Sequence, residues 1–316
     1  MLYLASRSIQ LTITVSILAP VISYPNWRNV VAMRRLLDPV IDETERLINH
    51  NLDPANVNNQ IPEPQSILTW VIKESHKIGP PANSRKEIAL RMLMIDFASS
   101  HNPPAAFANA LINLASSNPP SFPGKTYQEV LREELVVVAN SDGNSEKWTR
   151  RKYQLLTGMD SFIKEGLRLH GGLSAALQRM VARKGGYTFS NGLHVPEGVN
   201  VCIPGHRIMR DDAIYPNADE FDGFRHQLPY HLMGQNKVNP AVGMSTTGPE
   251  YLAFGYGVHA CPGRSFTDAL LKMLMRNILE NFEVEVVGKG RMEPLRISNF
   301  PMGPIGDTVR IRRRVA

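Results

Sequence analysis

Thirteen consecutive residues, Phe254-Gly-Tyr-Gly-Val-His-Ala-Cys261-Pro-Gly-Arg-Ser-Phe266, gather an aromatic ring, two loop glycines, a histidine, a lone cysteine and a Pro-Gly pair. A metal takes the thiolate rather than the thiol, and free cysteine ionises only near pH ~8.5, so a ligand site must stabilise the anion. Cys261 directly precedes Pro262, and proline at the first helical position marks a helix start. The apolar spacing of Phe266, Ala269, Leu270, Met273 and Leu274 predicts that helix. The sulfur then faces a helix N-terminus, where free N–H groups and the macrodipole favour negative charge. Pro262 has no N–H, which leaves Gly263 and the residues after it as donors. Gly255 and Gly257 allow tight, positive-φ geometry and close approach to a flat ligand. Phe254 is placed to cover the sulfur side of such a ligand, and His259 to pair with a propionate. The chemistry this pattern fits best is a thiolate ligand to a haem iron. Its plain alternative is a glycine turn before a capped helix, with Cys261 as a small buried hydrophobe. That alternative leaves Phe254, His259 and the two glycines unexplained.

The segment resembles the cysteine-ligand loop of the cytochrome P-450 family of haem-thiolate monooxygenases, whose pattern is Phe-x-x-Gly-x-x-x-Cys-x-Gly. That pattern falls on Phe254, Gly257, Cys261 and Gly263. Histidine ahead of the cysteine and Cys-Pro-Gly-Arg from it are similar to the filamentous-fungal branch. The resemblance implies a mainly α fold with small β-sheets to one side, here truncated at the N-terminus. It also implies haem (iron protoporphyrin) with an axial thiolate from Cys261.

Composition is that of an ordinary globular chain: 316 residues, 43% hydrophobic, 20% charged. The two cysteines, Cys202 and Cys261, provide neither a disulfide framework nor a zinc pattern, which suits a reducing compartment. The net charge of +6 gathers at Arg34-Arg35, Arg150-Arg151-Lys152 and Arg310 to Arg314. No aromatics interleave these clusters, which argues against nucleic acid. Docking to an acidic electron-donor protein or to anionic lipid suits the charge better.

Residues 9–23 are apolar but interrupted by Pro20 and shorter than the ~20 residues a spanning helix needs. A signal peptide behind Arg7, a segment dipping into a bilayer, or a buried or substrate-capping segment all fit this stretch. The resemblance favours the last and divides the chain into an apolar segment at 1–25 and a partial haem-thiolate domain at 26–316. Helical spacing is predicted over 26–50, 66–77, 126–139 and 158–169. Residues 86–100 are apolar nearly all round and predict a helix buried on most faces. The run His101-Asn102-Pro103-Pro104 predicts a break there, with Asn102 capping a second segment and Pro103 opening it. Strands are predicted from Tyr187 to Val195 around an Asn191-Gly192 turn, over 199–203, and at 282–287 and 308–315. Cys202 is expected in the core.

The resemblance assigns roles to several of these residues. In the family, the long central helix breaks over the iron and a polar pair there delivers protons. His101 and Asn102 occupy those positions here, and Asn102 replaces the usual threonine, which puts ordinary oxygen activation in doubt. Glu165 and Arg168, three apart on one helix face, join Arg225 of Tyr215-Pro-Asn-Ala-Asp-Glu-Phe-Asp-Gly-Phe-Arg225 in a structural charge triad. A buried bidentate set of this kind does not tolerate lysine for arginine. Arg179 matches an arginine that holds a haem propionate. Gly171 to Leu177 and a turn near Phe300 to Ile305 are expected to line the substrate pocket.

The implied activity is oxidation of an apolar small molecule in secondary metabolism, with electrons from an NADPH-dependent flavoprotein reductase. Two rivals stand beside it. One is a non-catalytic or weakly active haem-binding remnant. The other is a cysteine-nucleophile hydrolase pairing Cys261 with His259, for which no orienting acid is apparent. By resemblance the protein associates with the cytosolic face of the endoplasmic reticulum. The residue pattern itself shows no clear spanning helix and leaves peripheral membrane contact or a soluble cytoplasmic protein open.

Overall fold

Apolar residues at helical spacing become helix along most of the first half of the chain. In the computed structural model the described residues are 8–144, 146–171, 174–229, 232, 242–288, 296–297, 300–301 and 308–314; of these, 8–27, 29–30, 296–297 and 300–301 are described through their backbone alone. The elements in chain order are α1 (Ser8–Leu52), α2 (Ile67–Ile78), α3 (Arg85–Ser116), α4 (Tyr127–Ala139), α5 (Arg150–Leu155), α6 (Thr157–His170), β1 (Ala176–Met180), β2 (Tyr187–Thr188), β3 (His194–Val195), β4 (Asn200–Ile203), α7 (Gly205–Ile208), α8 (Arg264–Asn281), β5 (Phe282–Val287), β6 (Arg296–Ile297), β7 (Phe300–Pro301) and β8 (Thr308–Arg313). They fall into two compact units, Met1–Ser100 and His101–Ala316. Among the described residues no helix is long and apolar enough to cross a membrane.

In the first unit, α1 runs unbroken through Pro20 and Pro25. Each proline removes one ladder bond, and the flanking turns carry the helix past it. Ile41 of α1, Leu68, Val71 and Ile72 of α2 and Ile88 of α3 form the core of this unit. Ser66 caps α2 by accepting from Thr69 N at 3.1 Å. The face of α3 that carries Leu90, Met94 and Phe97 is exposed, so this stretch is not buried on most faces as its composition suggests.

Helix α3 does not break at His101-Asn102-Pro103-Pro104. It continues to Ser116 with both prolines inside it. Proline lacks an N–H, so two successive ladder bonds cannot form there. The apolar residues beyond, among them Leu111 and Leu114, bury in the second unit and hold the helical course. Asn102 is therefore a mid-helix residue rather than a cap, and both His101 and Asn102 are exposed.

The second unit packs α4, α6 and α8 around Tyr127, Phe162, Met275 and Leu279. Thr126 and Glu129 form a reciprocal capping box at the start of α4. The Tyr127 ring lies 5.1 Å from Phe162, 5.6 Å from Phe221 and 5.2 Å from Phe224, between centroids. Gly223 crosses this cluster, donating its N–H to the Tyr127 hydroxyl at 2.8 Å. Even a methyl group there would sit 2.7 Å from ring carbons of Tyr127 and Phe162, so only glycine fits without displacement. Gln128 of α4 pairs with Val284 of β5 in both directions, at 2.8 and 3.0 Å. Arg132 donates to Leu279 O and Phe282 O, which closes α8 and β5 onto α4.

The sheets are small antiparallel pairs: β1 with β4, β2 with β3, β5 with β8 and β6 with β7. The β2–β3 pair closes on the predicted Asn191-Gly192 turn, with Gly192 at φ 82°. β5 and β8 pair from Phe282↔Arg313 to Val287↔Thr308. Cys202 is exposed rather than in the core. In the two-stranded β1–β4 sheet only the start of β1, at Ala176, is buried.

Candidate functional site

The cysteine segment folds as its residue types require. Gly255 and Gly257 both adopt φ 71°, which side chains with a Cβ rarely take. A short 3-10 turn at Gly257–His259 follows, and Cys261 N donates to Phe254 O at 2.8 Å, closing the segment on itself. Helix α8 begins two residues later than the proline signal predicts, with Gly263 as its N-cap. The cause is a tighter first turn: Arg264 N reaches Cys261 O at 3.4 Å, and the first full helical bond runs from Thr267 N to Gly263 O. Cys261 is half-buried at this helix entrance, and Arg264 Nη1 also donates to its carbonyl at 2.9 Å. The side chains of Tyr256, Val258 and Phe266 around it are exposed and apolar, Val258 to 96%.

Phe254 packs between the main core and a cluster of Ala176, Met209, Tyr251 and Leu252. Leu177 meets the loop here, with Cδ2 3.7 Å from the place a Cβ on Gly255 would occupy. Leu177 has φ 50°, at a register shift in β1. A leucine held in the left-handed region is strained, and such strain gathers at functional sites. Gly172 and Leu173 of the expected pocket lining, the 302–305 part of the expected turn, and residues 230–231 and 233–241 of the long loop lie outside the described residues.

Arg179 and His259 are both exposed. The Arg179 guanidinium donates to the carbonyl of its neighbour Gln178 at 2.7 Å. Neither Cys261 nor His259 has a hydrogen bond joining sulfur to imidazole among the described residues, so the pairing a cysteine hydrolase needs is not formed.

Behind the loop, α6 presents a polar face that is buried. Among the described residues from Met209 to Thr246 there is no α-helix or strand ladder, and their backbone groups need other partners. Helix α6 supplies them. Arg168 holds Glu165 through two bonds of 2.8 Å and also donates to Met209 O. Arg225 Nε donates to Glu165 Oε1 at 3.0 Å, and Asp222 N to the same oxygen at 3.2 Å. Ser161 accepts from His226 N and Gln227 N, while Lys164 donates to Val242 O, Gly243 O and Thr246 Oγ1. The structure thus brings Glu165, Arg168 and Arg225 together, and Glu165 and Arg168 have no exposed side-chain surface.

Burial alone would push the Glu165 carboxyl up, but Arg168 and His226 outweigh it and hold it at about 2. Burial pulls Lys164 down to about 8. Burial also pulls Lys272 down, but Asp160 at 2.8 Å and Asp268 at 3.1 Å outweigh it and raise it, while burial raises the Asp160 carboxyl; the Lys272–Asp160 contact ties α6 to α8.

Two members of this arrangement escaped the sequence reading. His226 Nε2 lies 3.3 Å from Glu165 Oε2. Glu134 of α4 accepts from Gly158 N and Met159 N at 2.8 and 3.0 Å, capping α6 in place of the apolar Leu156 at its N-cap. No local spacing marks either residue, since the partners lie in other elements.

The haem fits this site by the chemistry of its donors. Among the described residues no three His, Cys, Asp or Glu side chains gather as a metal cluster. A single half-buried cysteine on a helix entrance suits a metal whose other ligands come from a macrocycle. Cys261 would hold the iron, Phe254 would lie beside the sulfur, and Arg179 and His259 are the basic groups of the loop and β1 for propionates.

Comparison with known proteins agrees. The profile of the family described as Cytochrome P-450 matches residues 1–308. The cytochrome P-450 monooxygenase gloP of Glarea lozoyensis is 31% identical over 281 residues, 85% of this chain and 50% of its own. Cytochrome P-450 monooxygenase 103 of Postia placenta is 29% identical over 287 residues, 90% of this chain and 53% of its own. The solved structure of retinoic acid-bound cyanobacterial CYP120A1 superposes with a TM-score of 0.62, covering 90% of this chain and 56% of that one at 18% identity. The fold is that of a haem-thiolate protein, mainly α with small sheets. The chain belongs to the cytochrome P-450 family, whose cofactor is haem with a cysteine thiolate ligand. It spans about half the length of the curated relatives it matches.

Proposed function

We propose that this chain carries the haem-ligating part of a monooxygenase that hydroxylates or otherwise oxidises an apolar small molecule, in secondary metabolism. The observation that carries the reading is the loop closed by the Cys261 N to Phe254 O bond, with both glycines at positive φ before α8. Bound haem supplies oxygen activation, with electrons from an NADPH-dependent flavoprotein reductase.

The protein's part is to ligate, orient and keep dry. Cys261 offers its thiolate at the entrance of α8, where the helix dipole and free N–H groups favour the anion. Arg179 and His259 orient the propionates, and Phe254 shields the sulfur. His101 and Asn102, exposed beside the two prolines of α3, stand where the resemblance implies a proton-delivering pair, with a non-titrating asparagine in place of the usual threonine. Basic residues of the chain suit an acidic reductase surface, and association with the endoplasmic reticulum follows from the family resemblance. Fungal monooxygenases among the relatives support the assignment.

The test is to express the chain with haem, reduce it under carbon monoxide and record the Soret band. A red-shifted thiolate-type band is expected. Its absence in soluble, folded protein contradicts the proposal. Turnover with reductase and NADPH on apolar candidates then separates an active enzyme from a haem-binding remnant.

A further inference from the structure

His226 enters the buried charge set from the long loop and has no part in the reading above. Its side chain is 10% exposed, with Nε2 3.3 Å from Glu165 Oε2. The ring stands edge-on to Tyr215 and Tyr251, at 6.2 Å between centroids in each case. Its backbone N–H donates to Ser161 Oγ at 3.0 Å, which fixes the backbone, while Nε2 is buried without a hydrogen-bond partner among the described residues. Tyr251 is buried and donates its hydroxyl to Lys164 O at 3.3 Å. Tyr251 also opens the run into the cysteine loop, where Phe254 O takes the Cys261 N–H at 2.8 Å. A chain of contacts therefore leads from Glu165 through His226 and Tyr251 to the segment that holds the sulfur.

Charge decides the state of the imidazole. Facing it are Lys164, Glu165 and Arg168 from α6, and Tyr215 and Arg225 from the loop. On the side of the cysteine segment stand Tyr251 and Glu250, whose carbonyl accepts from the Tyr215 hydroxyl at 3.1 Å. Glu165 already meets two guanidinium groups. A cationic ring would add uncompensated positive charge beside Arg168 and Lys164, where desolvation is costly. A neutral ring occupies the site without that cost, although its Nε2 is buried without a hydrogen-bond partner among the described residues. Burial, with Lys164 and Arg168 acting the same way, lowers the His226 pKa below its ordinary value despite the pull of Glu165.

We propose that His226 is a positioning residue for the cysteine loop: a neutral, buried imidazole beside Glu165 and edge-on to Tyr251, whose protonation in mild acid loosens the hold of Cys261 on the haem iron. The proposal rests on Cys261 as the haem ligand and goes beyond it. The sign follows from linkage. The folded protein keeps the ring neutral, so the unfolded chain takes up the proton first. Stability from this source is full above about pH 6.5 and falls as the pH drops below it toward the folded-state value.

The experiment records the reduced carbon monoxide spectrum and the melting temperature of the full haem-loaded chain from about pH 8 to about pH 5. The wild type is expected to lose melting temperature as the pH falls below about 6.5, and to lose the thiolate-type band at a lower pH, where the folded ring itself takes up the proton. His226→Gln keeps a neutral polar group near the position of Nε2 but cannot titrate. It is expected to keep the neutral-pH band and lack the acid step. His226→Phe keeps the edge-on ring packing and cannot titrate, and is expected to keep the band and likewise lack the step. An acid step of unchanged size and midpoint in His226→Gln overturns the proposal. A wild type with no thiolate-type band at any pH overturns the haem reading instead, and the melting curves then decide whether His226 carries the acid step.

Discussion

Replacing Cys261 by alanine is expected to abolish the thiolate-type Soret band while leaving the chain folded. Cys261 is half-buried and belongs to none of the apolar core clusters of the described residues. The loop is closed through the Cys261 backbone N–H and carbonyl, which alanine retains. The expected stability change is therefore under about 1 kcal/mol, as for substitutions away from buried features. Cys202→Ala is the control, since that cysteine is exposed on β4. A normal band in Cys261→Ala, or its loss in Cys202→Ala, places the ligand elsewhere.

Glu165→Ala is expected to be the most damaging single change in the fold. It leaves Arg168 fully buried, with Arg225 beside it, and removes the shared carboxylate. Breaking a buried pair from one side costs about 3–5 kcal/mol. That is a large share of a typical stability of about 5–15 kcal/mol. It also strips the Asp222 N–H of its acceptor. Little soluble protein is expected, and what remains should melt far lower and retain haem poorly. A melting temperature within a few degrees of wild type would show that the set is dispensable. The same carboxylate sets an acid limit. Its pKa is about 2 when folded against an ordinary value of 4.5, so its contribution is complete above about 4.5 and lost as pH falls toward 2.

The sequence carried the local parts of this picture and missed the distant ones. The loop glycines, the Asn191-Gly192 hairpin and the Glu165/Arg168 spacing are short-range signals, and each residue type has few conformations that suit it. Glu134 and His226 act on α6 from other elements, so nothing beside them in the sequence marks their roles. The two prolines of α3 read locally as an end, yet burial of Leu111 and Leu114 beyond them outweighs two missing bonds. Cys202 looked like core because strand alternation cannot say whether a sheet has two strands or six.

The span between the partners of Glu165 also bears on the order in which the chain assembles. Arg168 is 3 residues away and Arg225 is 60. Alone, the nearer pair is a helix-surface contact worth about 0.2–0.5 kcal/mol. Bringing in the farther one means closing a long loop, at an entropic cost of about 4 kcal/mol. The bonds from Arg168 to Met209 O and from Arg225 and Asp222 to Glu165 share that closure cost and are expected to form together, with cofactor capture by the still more distal cysteine coming last. Pulse hydrogen exchange during refolding is expected to protect the amides of Asp222, His226 and Met244 in a single phase; protection in separate phases would contradict that order.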